Sequence, residues 1–326
     1  MNKDITLVVT TWNSLDMLKM FLKYLQRYTP DIYELIIVNN GSTDGTKEYL
    51  AKNIKATVIN NEENLGVVVA LDQADKLVKT KYMVSISDDI LVTPNWLEDL
   101  IKIYESDPKI KTVAPFKPGT KIVHPYSDLS SREYWEDVQI DNSSKSKQEL
   151  LDLYSKNNYE EFVNDIKKAN DFGNQDLECP FDFVSGCCVL VEKEFIDSIG
   201  GFSDTRFHIY GCEDVDRCWR IGKAGYKVIR TSEVYVHHFE GVSLKMNKLA
   251  WKKLTKENNK LLVDKWDTSF WELLKNKIDE YGSVEKVVGR HWIVQWLLES
   301  VDDKSIPTEL RPTVLKYLKS AQSKLS

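Results

Sequence analysis

The stretch 82–89 reads Tyr-Met-Val-Ser-Ile-Ser-Asp-Asp, and the rest of the fold can be predicted outward from it. A short apolar run bounded by polar residues is typical of a buried strand in an α/β sheet. Asp88 and Asp89 stand at its carboxyl end, where open α/β sheets bind their ligands. Adjacent carboxylates repel each other, and a divalent cation with oxygen ligands would relieve that repulsion. The alternative is that both aspartates only cap the turn into the next helix.

The composition is that of a globular protein with a hydrophobic core. The 326 residues are 42% hydrophobic and 29% charged, which suits one large domain with an appendage or two domains. No run approaches the roughly 18 apolar residues of a membrane span, and we expect no signal peptide from the first residues, which lead directly into a predicted strand. The five cysteines include no CxxC pair, which indicates reduced thiols and neither a disulfide framework nor a zinc site. We therefore expect a cytoplasmic protein.

The first 115 residues alternate between strand and helix patterns. Strands are predicted at residues 5–10, 35–38, 57–59 and 82–87. One helix is predicted to begin at Asn13 or Ser14 and another to run from 64–66 through Val78. A third begins at Thr93-Pro94, with proline at its favoured first position. This alternation predicts a largely parallel sheet.

The later part of the chain is less regular. Residues 119–180 are polar and aromatic and are predicted to form an insertion with one helix near 147–169. A strand is predicted at 182–191, a helix after Glu192, a short helix from Glu213, and strands at 226–230 and 234–236. From about residue 244 the chain is predicted to be helical.

This helical tail is basic and rich in tryptophan. Residues 245–326 contain 16 Lys and Arg against 11 Asp and Glu. A solvated helical face explains this charge, and contact with an anionic partner or a membrane surface is the alternative. The tryptophans are expected to pack against the body or a second subunit, and sugar binding is the alternative, because aromatic side chains can do both; they are Trp251, Trp266, Trp271, Trp292 and Trp296.

Four polar clusters fall at predicted strand or loop ends, at residues 39–44, 87–89, 213–216 and 237–238. Carboxylates together with imidazole suit a hard metal ion with a general base nearby. For the clusters after residue 210, the alternative is helix capping with a buried ion pair such as Asp216 with Arg220. The motifs GxxxxGK[ST], GxSxG and HExxH are absent, and no GxGxxG follows the first strand.

In their order, these pieces resemble family 2 glycosyltransferases of the GT-A fold over residues 3–243. The matching segments are Val8–Asn13, Ile37–Thr46, Asn64–Gly66, Ser87–Asp89, Phe183–Gly186, Gly200–Phe202, Glu213–Asp216 and His238–Ser243. The resemblance implies a mostly parallel, Rossmann-like α/β sheet flanked by helices. It places a nucleotide-binding half at 1–115, the insertion at 119–180, an acceptor and catalytic half at 181–243, and a helical extension at 244–326.

The resemblance also implies roles for single residues. Donor and nucleotide contacts fall on Thr10, Thr11, Asn13, Asn39, Asp44, Asn64, Gly66 and Asp88. Asp89 matches the last position of the family's DxD motif and would ligate Mn²⁺ or Mg²⁺, whereas Ser87 departs from the motif's first aspartate. His238 would complete the metal site, and His237 is the rival. Asp214 would be the catalytic base, with Glu213 beside it positioning the acceptor.

These features predict a metal-dependent inverting glycosyltransferase whose donor is a nucleoside-diphosphate sugar, with UDP-sugars favoured. The family's processive synthases carry transmembrane helices and a QxxRW motif, and neither occurs here, so non-processive transfer is expected. Glycan, lipid-linked, protein and nucleic-acid acceptors all stay open. Peripheral contact of the basic tail with the inner face of the membrane and a homo-oligomer stay open as well.

Two other functions compete with this prediction. Nucleotidyl transfer would need a basic phosphate-gripping loop early in the chain, and Thr10–Asn13 contains no Lys or Arg. A nucleotide-sugar-binding module without catalysis is suggested by Ser87 and Asn39, which depart from the family pattern. The retained Glu213–Asp216 cluster argues against that module.

Overall fold

The computed structural model describes residues 4–29, 33–117, 158–207, 209–239 and 251–323. Its first part is a parallel sheet with its connecting helices. The strands are β1 (Ile5–Thr11), β2 (Glu34–Asn40), β3 (Thr57–Asn61) and β4 (Tyr82–Ser87), and the helices are α1 (Leu15–Tyr28), α2 (Thr46–Asn53) and α3 (Val67–Asp75). Thr10 of β1 pairs with Val38 on one side and Ser87 on the other. The carboxyl ends of three strands therefore meet at one edge.

The second part completes a mixed sheet. Its elements are β5 (Ile90–Leu91), α4 (Trp96–Glu105), β6 (Ile110–Phe116), α5 (Tyr159–Ala169), β7 (Asn174–Asp176), β8 (Cys188–Glu192), α6 (Lys193–Ser198), α7 (Glu213–Lys223), β9 (Lys227–Tyr235) and β10 (His237–His238). The order of the eight strands is β3-β2-β1-β4-β8-β6-β9-β7, and β5 pairs separately with β10. β8 runs antiparallel to both β4 and β6. The predicted α/β class with a mostly parallel sheet is confirmed.

Apolar periodicity explains why these segments fold as they do. In α1 the side chains of Leu18, Phe21 and Leu25 are at most 1% exposed and lie on one face. Burying each such side chain contributes roughly 1.5–3 kcal/mol. The strands β1 and β4 contain buried residues on both faces, as expected for the centre of a sheet covered on both sides.

Helices follow the sheet at the carboxyl end of the described chain. They are α8 (Trp251–Tyr281), α9 (Val284–Arg290), α10 (Trp292–Leu298), a 3₁₀ turn (Asp303–Ser305) and α11 (Arg311–Ser323). α8 is kinked at Asp267, where φ is 32° and ψ is −115°. Val215 and Trp219 of α7 share one hydrophobic core with Leu262 and Phe270 of α8. Within the described residues, no helix is long and apolar enough to cross a membrane.

Two predicted strand regions were wrong in extent. The strand predicted at 182–191 begins only at Cys188, because the residues before it form turns that line a cavity. The strands predicted at 226–230 and 234–236 are the single strand β9.

Two predicted helix boundaries also shift. Pro94 lies before α4, because Asn95 takes a left-handed conformation with φ of 61° and serves as the N-cap. α3 ends at Asp75 and not at Val78. Of the helix predicted near 147–169, residues 159–169 form α5, and residues 147–157 lie outside the described residues.

Candidate active site

A cavity of about 1050 Å³ opens beyond the carboxyl ends of β1 and β4. Residues from the sheet, from the first turn of α7 and from the carboxyl-terminal helices line it. The predicted site residues among them are Thr10, Thr11, Asn64, Gly66, Asp88, Asp89, Glu213, Asp214 and His238. The structure thus brings together side chains that are more than 200 residues apart in sequence.

Asp88 lies at the inner wall of this cavity. It is 4% exposed and accepts a hydrogen bond from Ser14 Oγ. Burial, followed by the charge of Asp89, raises the pKa of Asp88 to about 7, although hydrogen bonds from Ser14 and Thr11 act in the opposite direction. Asp88 is therefore a buried carboxyl group whose charge is incompletely balanced by its neighbours.

Asp89 forms an ion pair with His238. The distance from Asp89 Oδ1 to His238 Nε2 is 3.1 Å, and both side chains are largely buried. Burial alone would raise the pKa of Asp89, but His238 outweighs it and the pKa is lowered. Burial likewise opposes the charged imidazole of His238, yet Asp89 and then Cys187 raise its pKa to about 10. The pair is thus held by complementary charge in a water-poor site.

The choice between the two adjacent histidines follows from strand geometry. β10 pairs antiparallel with β5, so that His238 lies opposite Ile90 and next to Asp89. Successive side chains of a strand point to opposite sides. His237 therefore points away from the cavity; its Nδ1 lies 3.0 Å from the Tyr235 hydroxyl, and its ring packs on Phe239. Only His238 reaches the aspartate pair.

The chemistry of this cluster fits a divalent cation. Two carboxylates and one imidazole nitrogen lie together on the cavity wall, and burial beside Asp89 disfavours the charged form of Asp88, which a cation would stabilise. Oxygen ligands with one imidazole suit Mn²⁺ or Mg²⁺. Ser87, at the first position of the motif, donates its backbone N–H to the Cys187 carbonyl.

Glu213 and Asp214 begin α7, where the helix dipole favours negative charge. Asp214 accepts backbone hydrogen bonds from Gly186 at 3.3 Å and Val215 at 2.8 Å. Burial raises the pKa of Asp214, and Arg217 opposes that without cancelling it. Burial, followed by Asp214, raises the pKa of Glu213 to about 7. Such a pair, fixed in the wall of a cavity, is suited to proton transfer near neutral pH.

Helix α8 holds the loop that leads into α7. Asn258 Nδ2 donates to the carbonyls of Tyr210 and Gly211 at 2.9 and 3.1 Å. On the other side, the Ile209 carbonyl accepts from Val67 N, and a Cβ at Gly66 would lie 2.4 Å from Ile209 Cα. Gly66 is required there, since its φ is also +86°.

A buried charge network fixes α7 itself to α8. Asp216 is 0% exposed and accepts hydrogen bonds from Arg220 Nε at 2.9 Å, Lys265 Nζ at 2.6 Å and Trp266 Nε1 at 2.9 Å. The Trp266 ring also stacks on Trp219, with centroids 4.4 Å apart and an interplanar angle of 8°. The pairing of Asp216 with Arg220 is thus present, together with two partners from the extension.

Comparison with known families explains this arrangement. Residues 6–196 match the family model described as Glycosyl transferase family 2. The chain belongs to glycosyl transferase family 2. Residues 171–241 also match a model described as the N-terminal domain of galactosyltransferase. The predicted family and the prediction of a glycosyltransferase domain are therefore confirmed.

Individual relatives are distant. A poly-beta-1,6-N-acetyl-D-glucosamine synthase of Staphylococcus aureus is 22% identical over 229 residues, which are 69% of this chain and 47% of that protein. An uncharacterized protein of Sinorhizobium fredii is 19% identical over 246 residues, 73% of this chain and 25% of that protein. The chain therefore spans half or less of the length of these curated relatives.

A solved structure supports the fold. The mannosyltransferase PcManGT from Pyrobaculum calidifontis, in complex with GDP-Man and Mn²⁺, is 18% identical with a TM-score of 0.52. The match covers 98% of this chain and 75% of that one. The predicted GT-A fold is confirmed.

Three predicted donor residues lie outside the cavity lining: Asn39 near the end of β2, and Asn13 and Asp44 in the adjoining loops. Asn39 donates to Asn60 and accepts from Ser42 N. Asn13 Oδ1 accepts from the Thr43 backbone N–H. Asp44 accepts from Leu15 N and Thr46 N, at the starts of α1 and α2. These bonds organise the loops, and donor contact by Asn13, Asn39 and Asp44 stays a prediction.

Several cavity residues were not predicted from the sequence. Asn40, Lys117, Tyr210 and Arg230 line the cavity. Asn40 stands beside the assigned Asn39, and strand alternation, which sends neighbours to opposite sides, could have identified it. For Lys117 the signal was its position directly after the apolar run of β6. Tyr210 and Arg230 gave no sequence signal that separates them from surface residues.

Arg217 was also missed. It is 0% exposed, lies one turn after Glu213, and its guanidinium carbon lies 4.3 Å from the centre of the Phe202 ring. Among the described residues, none accepts a hydrogen bond from its guanidinium nitrogens. Its charge lowers the pKa values of both Glu213 and Asp214 and so partly compensates the carboxylate pair.

Proposed function

We propose that the chain transfers a sugar from a nucleoside-diphosphate sugar to an acceptor hydroxyl, with inversion of the anomeric carbon. The observation that carries this proposal is that Asp214 lines the same cavity as Asp88, Asp89 and His238. A single in-line displacement needs one base and no carboxylate nucleophile, unlike the retaining glycosidases. Membership of glycosyl transferase family 2 supports the reaction class.

Asp214 is the proposed catalytic base. Its carboxylate is oriented by the backbone N–H groups of Gly186 and Val215, and its raised pKa makes it a better proton acceptor than an ordinary aspartate. It takes the proton of the acceptor hydroxyl as the glycosidic bond forms, a contribution of about 10²–10⁴-fold in rate. Glu213, beside it, positions the acceptor.

Asp89 and His238 are the proposed ligands of Mn²⁺ or Mg²⁺, and His238 would release its extra proton to solvent on ligation, because only the neutral imidazole can bind a metal. When bound, such an ion neutralises the negative charge that develops on the leaving diphosphate. Asp88, with Thr10 and Thr11, binds the donor in this proposal, and Lys117 in the cavity wall adds positive charge near Asp89. UDP-sugars remain the favoured donors on the family resemblance, and GDP-sugars are the first alternative to test.

We further propose that transfer is non-processive and cytoplasmic, with the boundary between the catalytic domain and the extension near residue 243. A lipid-linked acceptor would bring the basic tail to the inner face of the membrane. Glycan, protein and nucleic-acid acceptors, and a homo-oligomer, are compatible with the same cavity.

The Asp214→Asn variant tests the base. It keeps the shape of the side chain and removes the proton acceptor, so transfer should fall at least about 100-fold. Binding of the nucleoside diphosphate, measured by calorimetry, should stay within about twofold. Turnover close to that of the wild type would show that Asp214 is not the base.

A donor panel with metal control tests the reaction class. UDP-, GDP- and dTDP-sugars are incubated with Mn²⁺ or with EDTA, and released products are separated by chromatography. Metal-dependent release of nucleoside diphosphate supports glycosyl transfer, and release of pyrophosphate indicates nucleotidyl transfer. Full activity in EDTA would refute the proposal that Asp89 and His238 bind a catalytic metal ion. Nucleotide-sugar binding without any turnover would indicate a binding module.

A further inference from the structure

Two tryptophans of helix α10 are unusually exposed. The exposed fractions are 54% for Trp292 and 37% for Trp296, and their ring centroids are 4.9 Å apart at an interplanar angle of 80°. The helix has a well-buried opposite face, formed by Ile293, Val294, Leu297 and Leu298. The two tryptophans therefore lie on the outer side of a helix that is already packed, and they are not part of the hydrophobic core. An exposed pair of large aromatic side chains on a packed helix indicates a binding surface.

This tryptophan pair belongs to the cavity that holds Asp214. Trp292, Ile293 and Trp296 line it together with the carboxylates of α7. The Phe183 ring contacts Trp292 at 5.7 Å between centroids, and three residues later Gly186 N binds Asp214. Three residues span at most about 10 Å. The aromatic pair and the proposed base therefore lie on the wall of one cavity and are connected by this short segment, so that one extended ligand would contact both.

Hydrogen bonds hold the tryptophan pair in position relative to α7, the catalytic helix that carries Asp214. Asn259 of α8 is 4% exposed, and its Nδ2 donates to the Trp296 carbonyl and to Ser300 Oγ, both at 3.3 Å. The same side chain accepts a hydrogen bond from Cys212 Sγ at 3.0 Å, directly before α7. One buried amide therefore connects the tryptophan helix to the start of the catalytic helix, so that the acceptor surface is preorganised.

The chemistry of this wall selects its ligand. Among residues 251–323 as described, those lining the cavity are Thr255, Asn259, Trp292, Ile293 and Trp296, and none is charged. Aromatic faces with a few neutral polar groups suit a ligand with an apolar face and hydroxyl edges. A pyranose ring has this character. A phosphate or an anionic lipid headgroup would need cationic partners, which this wall does not supply.

We infer that Trp292 and Trp296 form a stacking platform for a neutral saccharide, and that the acceptor is therefore a glycan with at least one sugar ring beyond the reacting residue. This inference rests on the proposed glycosyl transfer for its role in catalysis. It assigns acceptor selection to the carboxyl-terminal helices, whereas the sheet edge handles the donor.

The test titrates neutral gluco-, galacto-, manno- and N-acetylglucosamine oligosaccharides into the full chain by calorimetry. We expect at least one oligosaccharide to bind. Replacing both tryptophans by alanine (Trp292→Ala with Trp296→Ala) should weaken that binding roughly 10-fold or more. Trp292→Phe should retain most of the affinity, because the ring face remains. Tyr226→Ala is the matched control, since Tyr226 is 38% exposed and lies outside the cavity lining.

Kinetics separate this inference from the proposed function. If the chain turns over a nucleotide-sugar, the double variant should raise the acceptor KM and leave the donor KM and slow donor hydrolysis unchanged. Saccharide binding that depends on the tryptophans, without any turnover, would support the platform and refute the proposed function. Equal saccharide binding by wild type and double variant, or no saccharide binding by the wild type, would overturn the platform. So would a dimer, seen by light scattering, that the double variant dissociates.

Discussion

Replacing Glu213 by glutamine is expected to make the protein more stable at alkaline pH while it weakens catalysis. Glu213 is 7% exposed, and among the described residues none donates to its buried Oε2. Burial, followed by Asp214, raises its pKa from 4.5 to about 7. At 1.36 kcal/mol per pKa unit, ionising this group in the folded protein costs about 3 kcal/mol. Glutamine keeps the shape and removes that cost.

The direction of the pH dependence follows from linkage. A raised folded-state pKa means that the stability contributed by Glu213 is fully present below about pH 4.5 and is lost as the pH rises through about 7. Glu213→Gln has no proton to lose there. Its gain in free energy of unfolding over wild type should be about 1 kcal/mol at pH 5 and rise to about 3 kcal/mol at pH 8.

Urea unfolding followed by tryptophan fluorescence at pH 5 and pH 8 measures this difference. Glu257→Gln is the matched control, because Glu257 is exposed on α8 and its charge is not buried. A gain for Glu213→Gln that is equal at both pH values, or a loss at pH 8, would refute the reasoning. Loss of transfer activity together with the gain in stability would show that the site keeps a costly charge for function.

Two further substitutions test how the site is held. Gly66→Ala should lower the free energy of unfolding by at least about 2 kcal/mol and reduce activity, because the new Cβ would lie 2.4 Å from Ile209 Cα. The control is Gly289→Ala, where a Cβ would meet no atom within 4 Å. This control should leave the protein's stability unchanged or raise it by about 0.5–1 kcal/mol. Asp216→Ala should cost about 3–5 kcal/mol in thermal or urea unfolding, because it removes the buried carboxylate that Arg220 and Lys265 share. Asp302→Ala, in an exposed ion pair, should cost at most about 1 kcal/mol. Equal effects within either pair would contradict the assignment.

Much of the fold could be predicted because the signal is local. The runs that became β1 and β4 are apolar and bounded by polar residues, so that their burial follows from composition alone. The segment before Cys188 was harder, since it is also apolar but forms the cavity wall, where tertiary contacts override strand propensity. The left-handed Asn95 displaced the start of α4 for a similar reason, because local pattern does not specify backbone handedness.

The site divides in the same way. Asp89 and His238 could be paired from motif order, and the register of β5 with β10 then separates His238 from His237. The pairing of β5 with β10 joins residues that are far apart in the sequence, so that it could not be predicted from local patterns. The exposure of Trp292 could not be predicted either, because helical periodicity gives a buried face and an outer face but not what the outer face adjoins.

The buried charge network around Asp216 has a consequence for engineering. If the tryptophan pair selects the acceptor as inferred above, exchanging the carboxyl-terminal helices between relatives would change the acceptor preference and leave the sheet edge unaltered. Asp216, however, draws two of its three hydrogen-bond donors, Lys265 and Trp266, from those helices. A transplanted segment that lacks equivalents of both side chains would remove two hydrogen bonds from the buried carboxylate of Asp216, in the first turn of α7. We therefore expect a chimera to be stable only when the grafted helices contain equivalents of Lys265 and Trp266.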